Sequence, residues 1–207
     1  YLPTQRVLMF PDRLACDLAS LRQGEVRPTL SLVLDIDEEG TVREATLVPG
    51  MIRVVQRLSY DEADRLIAED AGEMGERLRR LLRWARRWAD ERFQRGAVWL
   101  RRPEVKVRVR DGRIHIKRLD PGAPARFLVS ELMVLMNHVA AEQAARRGIP
   151  IIFRAQDPPA HPPDDELRAR LRQEYDPLRV EQAVRGLQRS RLSLSPQPHA
   201  GLGLSAY

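Results

Sequence analysis

Apolar residues recur at two different periods along the chain, and the switches between them mark out its elements. YLPTQRVLMFP (1–11) reads as extended, with prolines near both ends. In DRLACDLASL (12–21), Leu14, Leu18 and Leu21 fall at helical spacing and predict a short helix. TLSLVLDI (29–36) and TVREATLV (41–48) flank the turn DEEG and predict a hairpin. Ser59 opens S-Y-D-E, a capping box expected to start a helix running to about Ala68. Residues 73–95 place Met74, Leu78, Leu81, Leu82, Ala85 and Ala89 on one helical stripe, which Gly96 stops. AVWL (97–100) is expected as a short strand. EVKVRVR and RIHIKRL are joined by Asp111-Gly112, a strong two-residue hairpin signal. A helix over 124–147 ends at Gly148, and IPIIFRA (149–155) predicts a buried strand from its β-branched content. DPPAHPPDD is a proline-rich loop, the following residues to about Arg189 are helical and charged, and the last stretch returns to loop. This irregular alternation, without internal repeats, predicts an α+β (mixed α/β) fold.

The helix over 124–147 contains the segment LVSELMVLMNHVAAEQAA, almost wholly apolar but broken by Ser130, Glu131, Asn137 and His138. Periodicity makes it a buried helix, and an unpaired buried carboxylate is costly, so Glu131 must be hydrogen-bonded or poised at a cavity.

Composition narrows the setting. The 207 residues suffice for a sizeable core, and 43% are hydrophobic, which excludes a disordered chain. No unbroken apolar run reaches membrane-spanning length, no signal peptide is expected, and a single cysteine, Cys16, fits a reducing compartment. A cytoplasmic protein with no membrane partner is expected. Neither end reads as a natural terminus, so the sequence is expected to be a segment of a longer protein. The net charge of +6 is carried almost entirely by arginine, with lysine only at Lys106 and Lys117. That excess fits either a GC-rich genome or phosphate binding, for which guanidinium forks are suited.

Four features could carry chemistry. LDIDEEG (34–40) clusters carboxylates in the manner of a divalent-metal loop, but it lacks the full ligand pattern and sits where a hairpin must turn. In the hairpin 104–117, Val105, Val107 and Val109 alternate with Lys106, Arg108 and Arg110, while Ile114 and Ile116 alternate with Arg113, His115 and Lys117. Its basic face is either a solvated exterior or a surface that tracks a nucleic-acid backbone. Trp84, Trp88, Trp99, Tyr60 and Tyr1 could stack on bases. For Trp84 and Trp88, one turn apart on an arginine-rich helix, packing against a neighbour is favoured. The four histidines lack metal-ligand spacing, and Ser130 lies in no nucleophile-elbow motif.

Six stretches, in order along nearly the whole chain, resemble the catalytic (RNB) domain of the ribonuclease II / ribonuclease R family. YLPTQRVLMFP resembles that family's Y-L-P…P-M-L-P element, and DLASLRQGEVRPTLS its L-C-S-L…E-x-R-x-x-L-S block. RLSY (57–60) is similar to R-L-T-Y, and GAVWLRRPEVKV to G-A-L-x-F…P-E-x-x-F. LVSELMVLMN resembles L-V-E-E-x-M-x-x-A-N, and HAGLGLSAY resembles H-F-G-L-x-L-x-x-Y.

The resemblance implies 3′-to-5′ hydrolysis of single-stranded RNA to nucleoside monophosphates, with two Mg²⁺ or Mn²⁺ ions stabilising an in-line displacement. It places the metal-binding D-x-D-D cluster upstream of Tyr1 and the catalytic arginine of S-P-x-R-[RK]-Y beyond Tyr207. The segment is then the central portion of one RNB-type domain, residues 1–207, without catalytic or metal residues of its own, in a monomeric protein. What it implies here is RNA binding. Tyr1 corresponds to an aromatic that stacks near the 3′-terminal base, and Trp99 or Leu100 to a second clamping aromatic. Tyr60, with Arg57 in the same motif, corresponds to a tyrosine beside the terminal riboses. Glu131 matches the second acid of the family's E-E pair, and Ser130 replaces the first. Arg154 is grouped with these as an RNA contact. A catalytically silent, RNA-binding relative is the alternative.

Overall fold

The computed structural model describes residues 4–5, 7–69, 72–100, 103–120, 122–173 and 175–207. In chain order these form β1 (Val26–Ile36), β2 (Val42–Arg53), α1 (Tyr60–Ala68), α2 (Gly72–Gln94), β3 (Glu104–Arg110), β4 (Arg113–Leu119), α3 (Pro124–Arg147), β5 (Phe153–Ala155), α4 (Asp165–Gln173), α5 (Pro177–Gly186) and β6 (Arg191–Ser193). The mixed α/β content is as expected. The strands pair as three antiparallel ribbons, β1–β2, β3–β4 and β5–β6.

The local signals that fix element ends act as their chemistry dictates. Ser59 and Glu62 form a reciprocal capping box, with the Ser59 N–H donating to Glu62 Oε2 at 2.7 Å and the Glu62 N–H to Ser59 Oγ at 3.3 Å. Asp111 (φ 51°) and Gly112 (φ 71°) both take the left-handed conformation a two-residue hairpin needs. Asp176 caps α5 by accepting from the Leu178 and Arg179 N–H groups, with Pro177 in the first turn.

Three expected elements differ. The helix expected over 12–21 is a single five-residue π turn, Leu14–Leu18, with no buried residue. Leu14, Leu18 and Leu21 all face solvent, and a short helix with no packed face is marginal. Residues 97–100 are not a strand. The Val98 N–H donates to the Gly201 carbonyl (3.1 Å), and the Val98 and Leu100 side chains join a small core of Leu171, Val180 and Ala183. The strand expected over 149–155 shrinks to Phe153–Ala155, because only these residues find a partner, in β6, itself expected as loop.

The main core lies between α2 and α3, with Leu82, Ala85, Trp88 and Ala89 packed against Phe127 and Leu128. The root of the β1–β2 ribbon closes it through Ile36 and Val42. Helix α2 also grips the ribbon's turn. Trp88 Nε1 donates to the Gly40 carbonyl at 2.8 Å, and Arg87 Nη2 donates to Thr41 Oγ1 at 3.0 Å. Gly40 (φ 91°) lies so close to the helix that an added Cβ would sit 2.3 Å from Trp84 Cδ1.

The C-terminal segment, residues 199–207, joins β5, α2 and α3. The Arg154 N–H donates to the Tyr207 carbonyl (2.7 Å), and the Ala200 N–H to the Gln156 carbonyl (2.9 Å). His138 Nδ1 lies 2.8 Å from the Ala206 carbonyl. Ala206 shares a second small core with Ala141 and Phe153.

Candidate functional site

Helix α3 turns about 100° per residue, so adjacent Ser130 and Glu131 point in different directions. Glu131 is 4% exposed and faces α2, where Arg92 Nη2 reaches its two oxygens at 2.7 and 2.5 Å. Arg92 Nη1 also donates to the Leu202 carbonyl at 3.3 Å, so one guanidinium ties α2, α3 and the C-terminal segment together. Burial pushes the Glu131 carboxyl above its ordinary pKa, and the adjacent Arg92 charge only partly opposes that shift. The polar group that the apolar segment required to be satisfied is thus a buried ion pair.

Ser130 is exposed, and helical geometry puts it on one stripe with Arg126, Met133 and Asn137. From Arg126 to Asn137 this stripe runs about 16 Å. An aromatic ring stands at each end. The Arg126 guanidinium carbon lies 4.3 Å from the centre of the Tyr60 ring, a cation–π contact. At the far end, Asn137 Nδ2 donates to the Tyr207 hydroxyl at 3.0 Å. Tyr60 is the first residue of α1, held there by the Ser59 cap, and is 39% exposed. Beside it, Lys117 Nζ lies 2.8 Å from Asp61 Oδ2, and that hydrogen bond holds the Asp61 carboxyl below the usual carboxylate range.

The other expected contacts are dispersed. Tyr1 lies outside the described residues. The Arg57 N–H donates to Gln23 Oε1 (3.2 Å), and Arg57 borders a shallow hollow with Cys16, Ser20 and Arg22. Trp99 stacks on Phe127, ring centres 5.0 Å apart, and borders a cavity of about 240 Å³ with Arg86, Asp90 and Arg172. Leu100 packs into the small core beneath α4 and α5. Arg154 is exposed on β5, its Nε donating to Ser190 Oγ at 3.2 Å while its backbone holds Tyr207. The structure therefore brings Tyr60 to the end of the stripe that carries Ser130, and connects Arg154 to the other end through Tyr207. It turns Glu131 away from that stripe, because the carboxylate is committed to Arg92.

The acidic run 35–39 behaves as a turn. The Thr41 N–H donates to Asp37 Oδ1 (2.7 Å), Arg43 lies 2.7 Å from Oδ2, and these contacts, the Thr41 hydrogen bond foremost, lower the Asp37 pKa. Among the described residues no three His, Cys, Asp or Glu side chains converge on a common point, so they offer no fit for a resident metal and no metal-dependent step is derived from them. Arg126 and Met133 were not singled out from the sequence, although counting helical turns from Ser130 locates both. No comparable signal picks Arg92 as the partner of Glu131, since α2 carries seven arginines and the contact spans 39 positions.

Comparison with known proteins places these residues in context. An uncharacterized ribonuclease of Synechocystis sp. is 35% identical over 209 residues, covering 100% of this chain and 30% of that protein. The structure of Mycoplasma genitalium RNase R in complex with ribose methylated single-stranded RNA superposes with a TM-score of 0.79 at 19% identity, covering 96% of this chain and 36% of that one. Yeast Ssd1, a pseudonuclease, superposes with a TM-score of 0.71 at 15% identity, covering 100% of this chain and 29% of that one. The chain thus spans about a third of the length of these relatives. The RNB domain family matches residues 1–207, the whole sequence, and the chain belongs to that family.

Proposed function

We propose that the protein carrying this chain is a 3′-to-5′ exoribonuclease that hydrolyses single-stranded RNA to nucleoside monophosphates with Mg²⁺ or Mn²⁺, and that this segment binds and orients the RNA. The observation that carries the reading is the α3 stripe of half-buried Arg126 and exposed Ser130, Met133 and Asn137, closed at its ends by Tyr60 and Tyr207, in a chain matched throughout by the RNB family. Its chemistry suits a nucleotide. Arg126 supplies a phosphate-binding charge, Tyr60 a ring face and a hydroxyl able to sense a ribose 2′-OH, and Ser130 a neutral donor–acceptor. A divalent metal, when bound, would supply charge neutralisation at the scissile phosphate, and the described residues provide no ligand set for it. The residues described here hold and align the strand.

The test uses the intact protein and 5′-labelled single-stranded RNA and DNA of one sequence. Stepwise shortening of the RNA from its 3′ end, abolished by EDTA, is the expected result. Tyr60→Phe should narrow the preference for RNA over DNA, because the hydroxyl is lost while the ring remains. Absence of metal-dependent shortening overturns the exoribonuclease reading. The second reading, an RNA-binding protein without nuclease activity, is favoured by the superposition on Ssd1. It predicts salt-dependent binding of the same RNA with no shortening under any metal.

A further inference from the structure

The β3–β4 ribbon pairs its charges in an unusual way. In the observed register Lys106 faces Lys117, Arg108 faces His115, and Arg110 faces Arg113. All six side chains are exposed, and all lie on one face of the ribbon. Like charges directly opposite one another destabilise an antiparallel pair; the face also carries one carboxylate of the ribbon, Glu104, opposite Leu119 and next to the Lys106–Lys117 pair. Among the described residues only Lys117 of the six forms an ion pair, with Asp61. An acidic side chain at any of these positions would have eased the repulsion.

The position of the ribbon adds a second observation. Its Lys117 end adjoins Asp61, which also feels the charge of Arg126, and Asp61 follows Tyr60 directly. The cationic face therefore begins beside the Tyr60 end of the α3 stripe and leads away from it. Alternate residues of a strand stand about 6.8 Å apart, so Lys106, Arg108 and Arg110 offer a row of cations at a spacing that successive phosphates of an extended strand can follow, with Arg113 and Lys117 across from its ends. The large cavity between α2, α3 and β2, about 570 Å³, offers no such preference, since Arg43, Arg92, Arg95 and Arg146 are balanced there by Glu44, Glu91, Glu131 and Glu142.

We infer that the basic face of the β3–β4 ribbon is a second RNA contact, which holds the phosphate backbone of the strand as it leaves the Tyr60 end of the α3 stripe. It rests on the RNA-binding reading of that stripe and extends it by naming where a longer substrate goes. The contact is with phosphates, so it is indifferent to base sequence and sensitive to salt.

The experiment measures binding of fluorescein-labelled oligouridylates of 4 and 20 nucleotides to the intact protein, without divalent metal, over a range of KCl. The variant Arg108→Gln/Arg110→Gln/Arg113→Gln should bind the 20-mer at least 10-fold more weakly than wild type at low salt. Its slope of log affinity against log salt should be shallower by about 2, three phosphate contacts at roughly 0.7 each. Affinity for the 4-mer should not change, and the corresponding triple lysine variant should retain wild-type 20-mer binding. Thermal unfolding separates this from misfolding, because relief of like-charge repulsion should leave the glutamine variant at least as stable as wild type. An unchanged 20-mer slope overturns the inference while leaving the RNA-binding reading standing. Wild type that binds neither oligonucleotide overturns both. Loss of binding only to phosphatidylserine vesicles, with RNA binding intact, assigns the face to membranes and also overturns it.

Discussion

Replacing one member of the Arg92–Glu131 pair tests the central packing arrangement most directly. Their side chains are 11% and 4% exposed, and the guanidinium spans both carboxylate oxygens. Glu131→Leu leaves Arg92 buried without its counter-charge, and Arg92→Met does the same to Glu131. Breaking a buried pair from one side costs about 3–5 kcal/mol. For a domain of this size that is a fall of about 6–20 °C in Tm. The double variant removes both charges and fills the space with apolar atoms, so it should be less damaging than either single change. Denaturation of all four proteins, followed by circular dichroism, completes a double-mutant cycle.

A pH series adds an independent sign. The Glu131 pKa is raised in the fold, so the folded state holds its proton to higher pH than the unfolded chain does. Its contribution to stability therefore falls as pH rises from the ordinary carboxylate range through the raised value. Glu131→Gln should remove that slope. Single variants that each cost under about 1 kcal/mol, with no coupling energy between them, would refute the structural role.

Gly40→Ala should destabilise the protein by about 1–3 kcal/mol, because it places a side chain in the left-handed region and drives a Cβ into Trp84; urea unfolding measures it, and a neutral result would show that the turn is not seated on α2. His199 carries a buried Nδ1 with no hydrogen-bond partner among the described residues, and burial, reinforced by Arg154, lowers its pKa. The protein should accordingly lose stability as pH falls from the ordinary imidazole range through that lowered value, and His199→Phe should flatten this dependence in a thermal-shift series.

How much of this was legible beforehand depends on the range of each interaction. The Ser59–Glu62 box, the Asp111-Gly112 turn and the Gly148 stop are local, and the residues that make them lie within a few positions of each other. Tyr60 and Ser130 were accessible through motifs that resemble a known family. The direction of Glu131 was not, because its partner is one of seven arginines on a distant helix. For the same reason 97–100 reads as a strand in the sequence. Its β-like composition is real, but the surface it meets is a core formed by α4 and α5.

The C-terminal segment has a consequence for how the chain acquires its structure. Arg92 contacts Leu202 across 110 positions, and β5 receives its bond from the carbonyl of Tyr207. A ribosome adding about 5–20 residues per second needs roughly 5–20 s to make the intervening chain. In the later part of that interval, once α3 is complete, α2 and α3 have emerged, but the residues that join them to β5 have not. Vectorial synthesis therefore exposes the nascent helices, Phe153 and the still-unanchored Arg92–Glu131 pair before the last turn can lock them, and assembly of this segment is completed late rather than built outward from its first hairpin.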